Sequence, residues 1–244
     1  MPTLLFGSHA RGDARPDSDI DVLQLAPMSA SYGTGTLSVT VYRPGDLRQM
    51  AIRGSLFVLH LCQDGILLND LNDLNDRVTP DGAGVLKRML AAWRAPSSYD
   101  RLFDAVREVS GALDTDEGGF GSNPAGFFNL ATFLARTELY ARCAAEGAPE
   151  FSITRAAARC GQAELGRALD RRRAVDPTWE RFAGLRQSLR HALSIPCRNP
   201  HGSFEALVFH LHDVTPVGAS IVLRTVRGMA GAGYHLMPPD DVPW

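Results

Sequence analysis

Lysine is almost absent from this sequence: of its 25 basic residues, only Lys87 is a lysine. We attribute that bias to codon usage and not to function. The sequence also lacks an excess of positive charge, because its formal net charge is −2 at pH 7. No global positive field therefore attracts the molecule to nucleic acid or to an acidic membrane surface. A long nucleic acid is accordingly a disfavoured substrate.

Cysteines are few, and the four that occur form no closely spaced pair. Their spacing favours reduced, buried thiols over a zinc site or a disulfide scaffold. No apolar run approaches the roughly 20 residues that span a bilayer, and no basic segment followed by an apolar one begins the sequence. We therefore expect a cytoplasmic protein that does not enter a membrane.

The composition is that of an ordinary globular protein, with 244 residues, 45% hydrophobic and 21% charged. That length allows two modest domains. Alternating and short apolar runs occur early in the chain, whereas helical periodicity prevails later. We predict a small α/β domain with a mixed sheet at residues 1–75, a linker or connecting helix at 76–96, and an all-α helical bundle at 97–235.

Hydrophobic periodicity and breaks at Gly, Pro and Asp locate the individual elements. Strands are predicted at residues 3–6, 19–25, 37–42 and 65–68, with a helix from Leu47 to about Leu61. Six later helices are predicted at Val85–Trp93, Tyr99–Leu113, Pro124–Glu146, Ser152–Arg173, Pro177–Leu193 and Phe204–Val226.

Two aspartates flank one isoleucine at the start of the second predicted strand. Residues two apart on a strand project from the same face, so Asp19 and Asp21 point together and Ile20 points away. The two negative charges repel each other unless a cation neutralises them. Mg²⁺ prefers one or two carboxylates together with phosphate oxygens, and a pair of such ions can assist phosphoryl transfer.

A Gly-Ser turn ends the first predicted strand, shortly before this acidic pair. Glycine at position 7 allows backbone N–H groups to approach a phosphate, and the Ser8 hydroxyl adds a donor. Arg11 offers a planar fork for phosphate oxygens, and Ser18 precedes the aspartates. A triphosphate bound between the turn and the strand would use these groups. Neither motif alone would carry that interpretation, but both occur in register with strands.

The stretch "GSHARGDARPDSDIDV" resembles the signature of the polymerase-β-like nucleotidyltransferase superfamily. Its "GS-x-ARG … SDID" form is similar to the minimal nucleotidyltransferase branch, and the similarity extends over about residues 3–70. The resemblance implies that Gly7 and Ser8 bind the triphosphate of an NTP. It also implies that Asp19 and Asp21 bind Mg²⁺, with Mn²⁺ as an alternative.

The sequence departs from that family in three places. Ser38 or Thr40 stands where a third carboxylate helps to activate the attacking hydroxyl, and neither acts as a base at neutral pH. The family commonly has a helix before the first strand, whereas only Met1 and Pro2 precede the strand in this sequence, so either its start is misassigned or the sheet is less covered than usual. His9 occupies a variable position, where we expect a solvent-facing imidazole.

The two-part layout resembles that of aminoglycoside nucleotidyltransferases, whose helical domain contributes to acceptor binding. Glu138 is therefore a candidate replacement for the missing base, and an i,i+4 ion pair with Arg142 is the favoured alternative. Arg186 and His191 show the Arg-x4-His spacing of HEPN domains, a match that chance readily produces. His210 and His212 in "HLHD" would face different sides of a helix, so a shared metal is not expected.

We therefore predict a metal-dependent nucleotidyltransferase that moves a nucleoside monophosphate from an NTP to a hydroxyl and releases pyrophosphate. The acceptor would be a small molecule or a protein, and the chain could form a homo-oligomer or bind a HEPN-like partner. The alternative is a catalytically weakened or inactive nucleotide-binding, antitoxin-like interaction module. The absent third carboxylate supports the alternative, and the intact metal and phosphate residues oppose it.

Overall fold

The computed structural model describes residues 2–28, 30–68, 81–170, 176–227 and 244. The chain divides into two compact units, one of residues Met1–Ser97 with Pro243–Trp244 and the other of residues Ser98–Val242. The first unit is α/β and the described part of the second is helical, so the predicted fold class is confirmed. The predicted domain ends at residues 75 and 235 lie outside the described residues.

The N-terminal unit contains a five-stranded mixed sheet in the order β3-β4-β2-β1-β5. Only β2 and β4 are parallel, and the other neighbours are antiparallel. The elements in chain order are β1 (Thr3–Phe6), α1 (Gly7–Arg11), β2 (Ile20–Leu25), β3 (Ala30–Thr34), β4 (Leu37–Tyr42), α2 (Pro44–Ile52), α3 (Leu56–Asp64), β5 (Ile66–Leu68) and α4 (Asp81–Leu90).

The two faces of this sheet carry separate apolar clusters, as strand alternation requires. On one face, Leu4 and Leu23 pack with Leu47 of α2 and Leu61 of α3. The opposite face carries a smaller cluster of valines from β2 and β4, namely Val22, Val39 and Val41. Because Asp21 is two residues before Leu23 on β2, its side chain belongs to the face that the helices cover.

The helix predicted from Leu47 to Leu61 is in fact two helices, α2 and α3, and the prediction of one was wrong. Gly54 separates them with a φ of +77°, and a Cβ there would lie 2.7 Å from the carbonyl oxygen of Arg94. The segment predicted as a connector supplies α4, whose Leu86 is fully buried in the same cluster as Leu4. Helix α4 therefore contributes to the core of the N-terminal unit.

The C-terminal unit is built around the long helix α7. Phe182 stacks on Phe120 with ring centroids 5.0 Å apart, and Leu130 and Leu134 are fully buried. Its elements are α5 (Asp100–Val109), a 3₁₀ turn (Ser110–Leu113), α6 (Glu117–Gly121), α7 (Pro124–Ala145), α8 (Ile153–Arg159), α9 (Ala163–Asp170), α10 (Trp179–Leu193), α11 (Phe204–Val214) and α12 (Pro216–Arg227).

Two of the predicted helices in this region are each interrupted. Gly161, with a φ of +70°, separates α8 from α9, and Pro216 begins α12 directly after Thr215. A proline cannot donate the backbone hydrogen bond that a continuous helix needs at that point. Within the residues that the structure describes, no helix has the length and apolar character needed to cross a membrane.

Candidate nucleotide and metal site

The pairing of β1 with β2 brings the Gly-Ser turn beside Asp21 of β2. The antiparallel register places Phe6 opposite Asp21, so Gly7 follows β1 directly beside the beginning of β2. A Cβ at position 7 would lie 2.9 Å from Asp21 Oδ2, and the φ of Gly7 is +76°. Both its conformation and this close approach require glycine.

The short helix α1 begins at Gly7 and ends at Gly12, whose φ is +74°. Ser8 is its second residue and half-buried, and the Ser8 carbonyl accepts a hydrogen bond from the Asp13 N–H at 3.0 Å. Ser8 thus directly follows Gly7, the position at which a Cβ would approach Asp21.

The loop that leads into β2 is held by local hydrogen bonds. The Ser18 hydroxyl accepts from the Arg15 N–H at 2.9 Å, and His9 Nε2 lies 3.3 Å from the Ser18 carbonyl oxygen. His9 is half-buried against this loop and not simply solvent-facing. The Ile20 N–H donates to the Thr36 carbonyl at 2.7 Å, which extends pairing with the β4 side of the sheet to the residue between the two aspartates.

Arg11 is surrounded by internal partners. Its guanidinium donates to Asp64 Oδ2 at 2.7 Å and to Asp13 Oδ2 at 3.2 Å, and Nη1 lies 3.3 Å from His60 Nε2. Burial lowers the pKa of Arg11, but the two carboxylates more than compensate and raise it above its ordinary value. These contacts tie α1 to α3, and a role of Arg11 in binding phosphate stays a prediction.

Asp64 is the centre of this buried polar cluster, with its side chain 6% exposed. Burial raises the pKa of Asp64, but hydrogen bonds to His60 and Arg11 outweigh burial and hold it below its ordinary value. His60 itself packs edge-on against Phe6 at 5.6 Å, next to the strand end that precedes Gly7. No motif in the sequence signalled that Asp64 and His60 would support the turn.

Ser38 is the residue that stands beside Asp21 on the neighbouring strand. The parallel register of β2 and β4 pairs Asp21 with Ser38, whereas Thr40 pairs with Leu23 further along. Within the described residues, Asp19 and Asp21 do not form a close group with a third Asp, Glu, His or Cys. The register thus places Ser38 beside Asp21, whereas Asp19 directly precedes β2.

This donor set suits a hard divalent cation. Carboxylate oxygens are the ligands that Mg²⁺ prefers, and it completes its shell with water and phosphate oxygens. Glycine at position 7 leaves space beside Asp21 Oδ2 that any side chain would fill. Asp19 and Asp21 are thus the residues that would hold Mg²⁺.

Glu138, the candidate base from the helical unit, is buried in α7 at 3% exposure. Arg142 donates to Glu138 Oε1 from Nε and Nη2, at 3.0 and 2.9 Å, and also to the Leu193 carbonyl at 2.9 Å. Burial raises the pKa of Glu138 above its ordinary value, although Arg142 and Arg107 oppose the shift. A catalytic role for Glu138 stays a prediction, and these contacts are those of an i,i+4 ion pair.

The Arg-x4-His pair on α10 has separate partners. Arg186 donates to the carbonyls of Leu113 and Thr115, at 3.1 and 2.8 Å, and its guanidinium lies over the Trp179 ring. His191 is exposed, and its Nδ1 lies 3.0 Å from the Gln187 carbonyl oxygen. Both residues therefore have local structural contacts.

The N-terminal unit is thus an α/β domain whose mixed sheet brings the turn after β1 beside the Asp-x-Asp segment. Residues 3–47 match the family model described as Nucleotidyltransferase domain. The N-terminal part of the chain is thus a nucleotidyltransferase domain of the polymerase-β-like type. The match ends before the helical C-terminal region, which is unassigned. No curated protein matches the chain.

Proposed function

We propose that this protein is a metal-dependent nucleotidyltransferase that transfers a nucleoside monophosphate from an NTP to a hydroxyl group and releases pyrophosphate. The acceptor would be a small molecule or a protein. The observation that carries the proposal is the approach of Gly7 to Asp21 Oδ2, which joins the candidate phosphate turn to the candidate metal ligands.

In this mechanism the chain's own residues mainly position and neutralise charge. Gly7 and Ser8 would bind the triphosphate through backbone N–H groups and the Ser8 hydroxyl. Asp19 and Asp21 would hold Mg²⁺, which supplies positive charge for the phosphate oxygens. Asp64 and His60 would act indirectly, since they hold Arg11 and with it α1.

The test is incubation with each labelled NTP, Mg²⁺ and a panel of hydroxyl acceptors, with pyrophosphate release and label transfer as the readouts. Asp19→Asn and Asp21→Asn should abolish transfer and leave thermal stability unchanged or higher, because repulsion between like charges is relieved. Asp17→Asn is the matched control, since it makes the same change on an exposed residue of the same loop. Strong destabilisation by both active-site variants would mean that these carboxylates are structural.

The position of Ser38 supports a second candidate, a nucleotide-binding module with weakened or no catalysis that acts through a partner protein. Ser38 stands next to Asp21, and a hydroxyl there does not accept a proton at neutral pH. A module of this kind would bind Mg²⁺ more tightly when a non-hydrolysable NTP is present, yet transfer nothing to any acceptor. Calorimetric titration of Mg²⁺ with and without that NTP therefore measures binding, and the transfer assay on the same protein measures catalysis.

A further inference from the structure

A histidine-carboxylate cluster lies in the helical unit, within residues Ser98–Val242. His210 Nε2 lies 3.1 Å from Glu108 Oε2, and His201 Nε2 lies 3.9 Å from the same oxygen. The two imidazole rings stack with centroids 4.2 Å apart. In the described part of the chain, these three residues alone form a group of three or more His, Cys, Asp or Glu with ligand atoms this close.

Hydrogen bonding among the three side chains leaves one of their atoms unsatisfied. The contact of His210 with Glu108 is a normal hydrogen bond, but 3.9 Å is too long for one from His201. His201 Nε2 is buried and has no hydrogen-bond partner among the described residues. A buried nitrogen in that state is costly, and a cation shared with Glu108 would satisfy it.

The separations also suit a small metal ion. Two ligand atoms at the usual zinc distance of about 2.0 Å, in tetrahedral geometry, lie about 3.3 Å apart. The distances of 3.1 and 3.9 Å from Glu108 Oε2 to the two ring nitrogens lie on either side of that value. Two imidazoles and one carboxylate favour Zn²⁺ over Mg²⁺, which prefers oxygen ligands.

The loop that carries His201 is fixed by the surrounding structure. Asn199 Oδ1 accepts from the His201 N–H at 2.9 Å, and Asp114 Oδ2 accepts from the Asn199 N–H at 3.0 Å. Ser203 then caps α11 by accepting from the Ala206 N–H at 3.1 Å. His201 therefore needs little ordering before it binds a ligand, and preorganisation of this kind favours metal binding.

We propose that Glu108, His201 and His210 form a Zn²⁺ site that links the end of α5 to α11 and to the loop before it. Three protein ligands leave a fourth position for water. This site is independent of the proposed nucleotidyl transfer, because its ligands belong to the helical unit and are not the hard oxygen set of Asp19 and Asp21.

The test is a titration of the tag-free, chelator-treated full chain with Zn²⁺ against a chromophoric competitor, without nucleotide. We expect one equivalent of Zn²⁺ to bind and the melting temperature to rise, since the ion binds the folded state. His201→Ala and His210→Ala should weaken binding at least about 100-fold and remove that rise. Glu108→Gln changes a partly exposed side chain and should fold normally and also weaken binding.

The matched control is His212→Ala, which removes an exposed histidine from the same helix. This variant, and a chain with both Asp19→Asn and Asp21→Asn, should bind Zn²⁺ as tightly as the wild type. Wild-type protein that is folded by circular dichroism and binds no Zn²⁺ would overturn the proposal. Unchanged affinity in the His201, His210 and Glu108 variants would overturn it too. So would a Co²⁺ complex with thiolate charge-transfer bands that these variants do not alter, because that places the metal on cysteines.

Discussion

Gly7 combines two requirements that the sequence motif alone does not separate. Its φ of +76° disfavours any side chain, and a Cβ would also press on Asp21 Oδ2 at 2.9 Å. Gly12, at the other end of α1, has a φ of +74°, but a Cβ there meets nothing within 4 Å. The two glycines therefore share a positive φ, but only at Gly7 would a side chain also meet Asp21.

Gly7→Ala should reduce transfer about 10²-fold, since displacing Asp21 by a fraction of an ångström misplaces a metal ligand. Gly12→Ala is the control, because both variants incur the cost of about 1–2 kcal/mol for a left-handed alanine. Steady-state transfer rates and urea unfolding of both variants give the comparison. Equal losses of activity would show that the backbone conformation matters and the approach to Asp21 does not.

Ser38 marks the position where a carboxylate would complete the site. Ser38→Asp should raise turnover by up to about 10²–10⁴-fold, the factor that is typical of a well-placed general base. Thr40→Asp should not, because Thr40 pairs with the fully buried Leu23 and not with Asp21. Ser38→Asn controls for shape without charge. If neither the wild type nor any of these variants transfers a nucleoside monophosphate from any NTP, the binding-module alternative is favoured.

At the scale of elements, the sequence predicted the types well and the breaks poorly. Short apolar runs located β1 and β2, and alternation located β4. The edge strand β3 was missed because the sequence of Ala30–Thr34 has no apolar alternation. The break at Gly54 was missed because apolar periodicity continues through it and the break depends on a close approach to Arg94.

The Asp-x-Asp and Gly-Ser motifs of the candidate site were found because their residues are close together in the sequence. Clusters such as Glu108 with His201 are far apart in sequence and leave no local signal.

The link between α1 and α3 depends on Asp64, whose folded-state pKa is below its ordinary value because hydrogen bonds to His60 and Arg11 outweigh burial. The stability that Asp64 contributes is therefore complete above its unfolded-state pKa and is lost as the pH falls through the folded-state pKa. Asp64→Asn should lower the free energy of unfolding at neutral pH by about 2 kcal/mol and flatten this acid-side loss.

The free energy of unfolding of the N-terminal unit is measured by tryptophan fluorescence in urea, in a Trp179→Phe background. The remaining Trp93 and Trp244 both belong to that unit. Asp46→Asn is the control, because Asp46 pairs with Arg43 in a largely exposed i,i+3 contact and should contribute little. An Asp64→Asn protein with the wild-type dependence on pH would mean that the cluster does not stabilise the unit.

At the scale of the whole molecule, the two units contain buried carboxyls whose pKa values shift in opposite directions. Hydrogen bonds lower the pKa of Asp64, whereas burial dominates at Glu138 and raises its pKa. Acidification should therefore weaken the contribution of Asp64 to the N-terminal unit and strengthen that of Glu138 to the helical unit. As the pH falls, we therefore expect the free energy of unfolding to change differently in the two units, so each unit needs its own probe.

Glu138→Gln tests both this contrast and the idea of a relocated base. The contribution of Glu138 to stability is lost as the pH rises through its raised pKa, and glutamine, which resembles the protonated form, should not show that loss. At neutral pH the variant should be as stable as the wild type or more stable, and the difference should vanish in acid. Arg142→Gln should instead destabilise by about 1–3 kcal/mol, because it leaves a buried carboxylate without its partner. Fluorescence of Trp179 in a Trp93→Phe, Trp244→Phe background measures the unfolding of the helical unit alone.

Unchanged kcat in Glu138→Gln would assign Glu138 to the fold, whereas a loss of turnover with stability intact would assign it to catalysis.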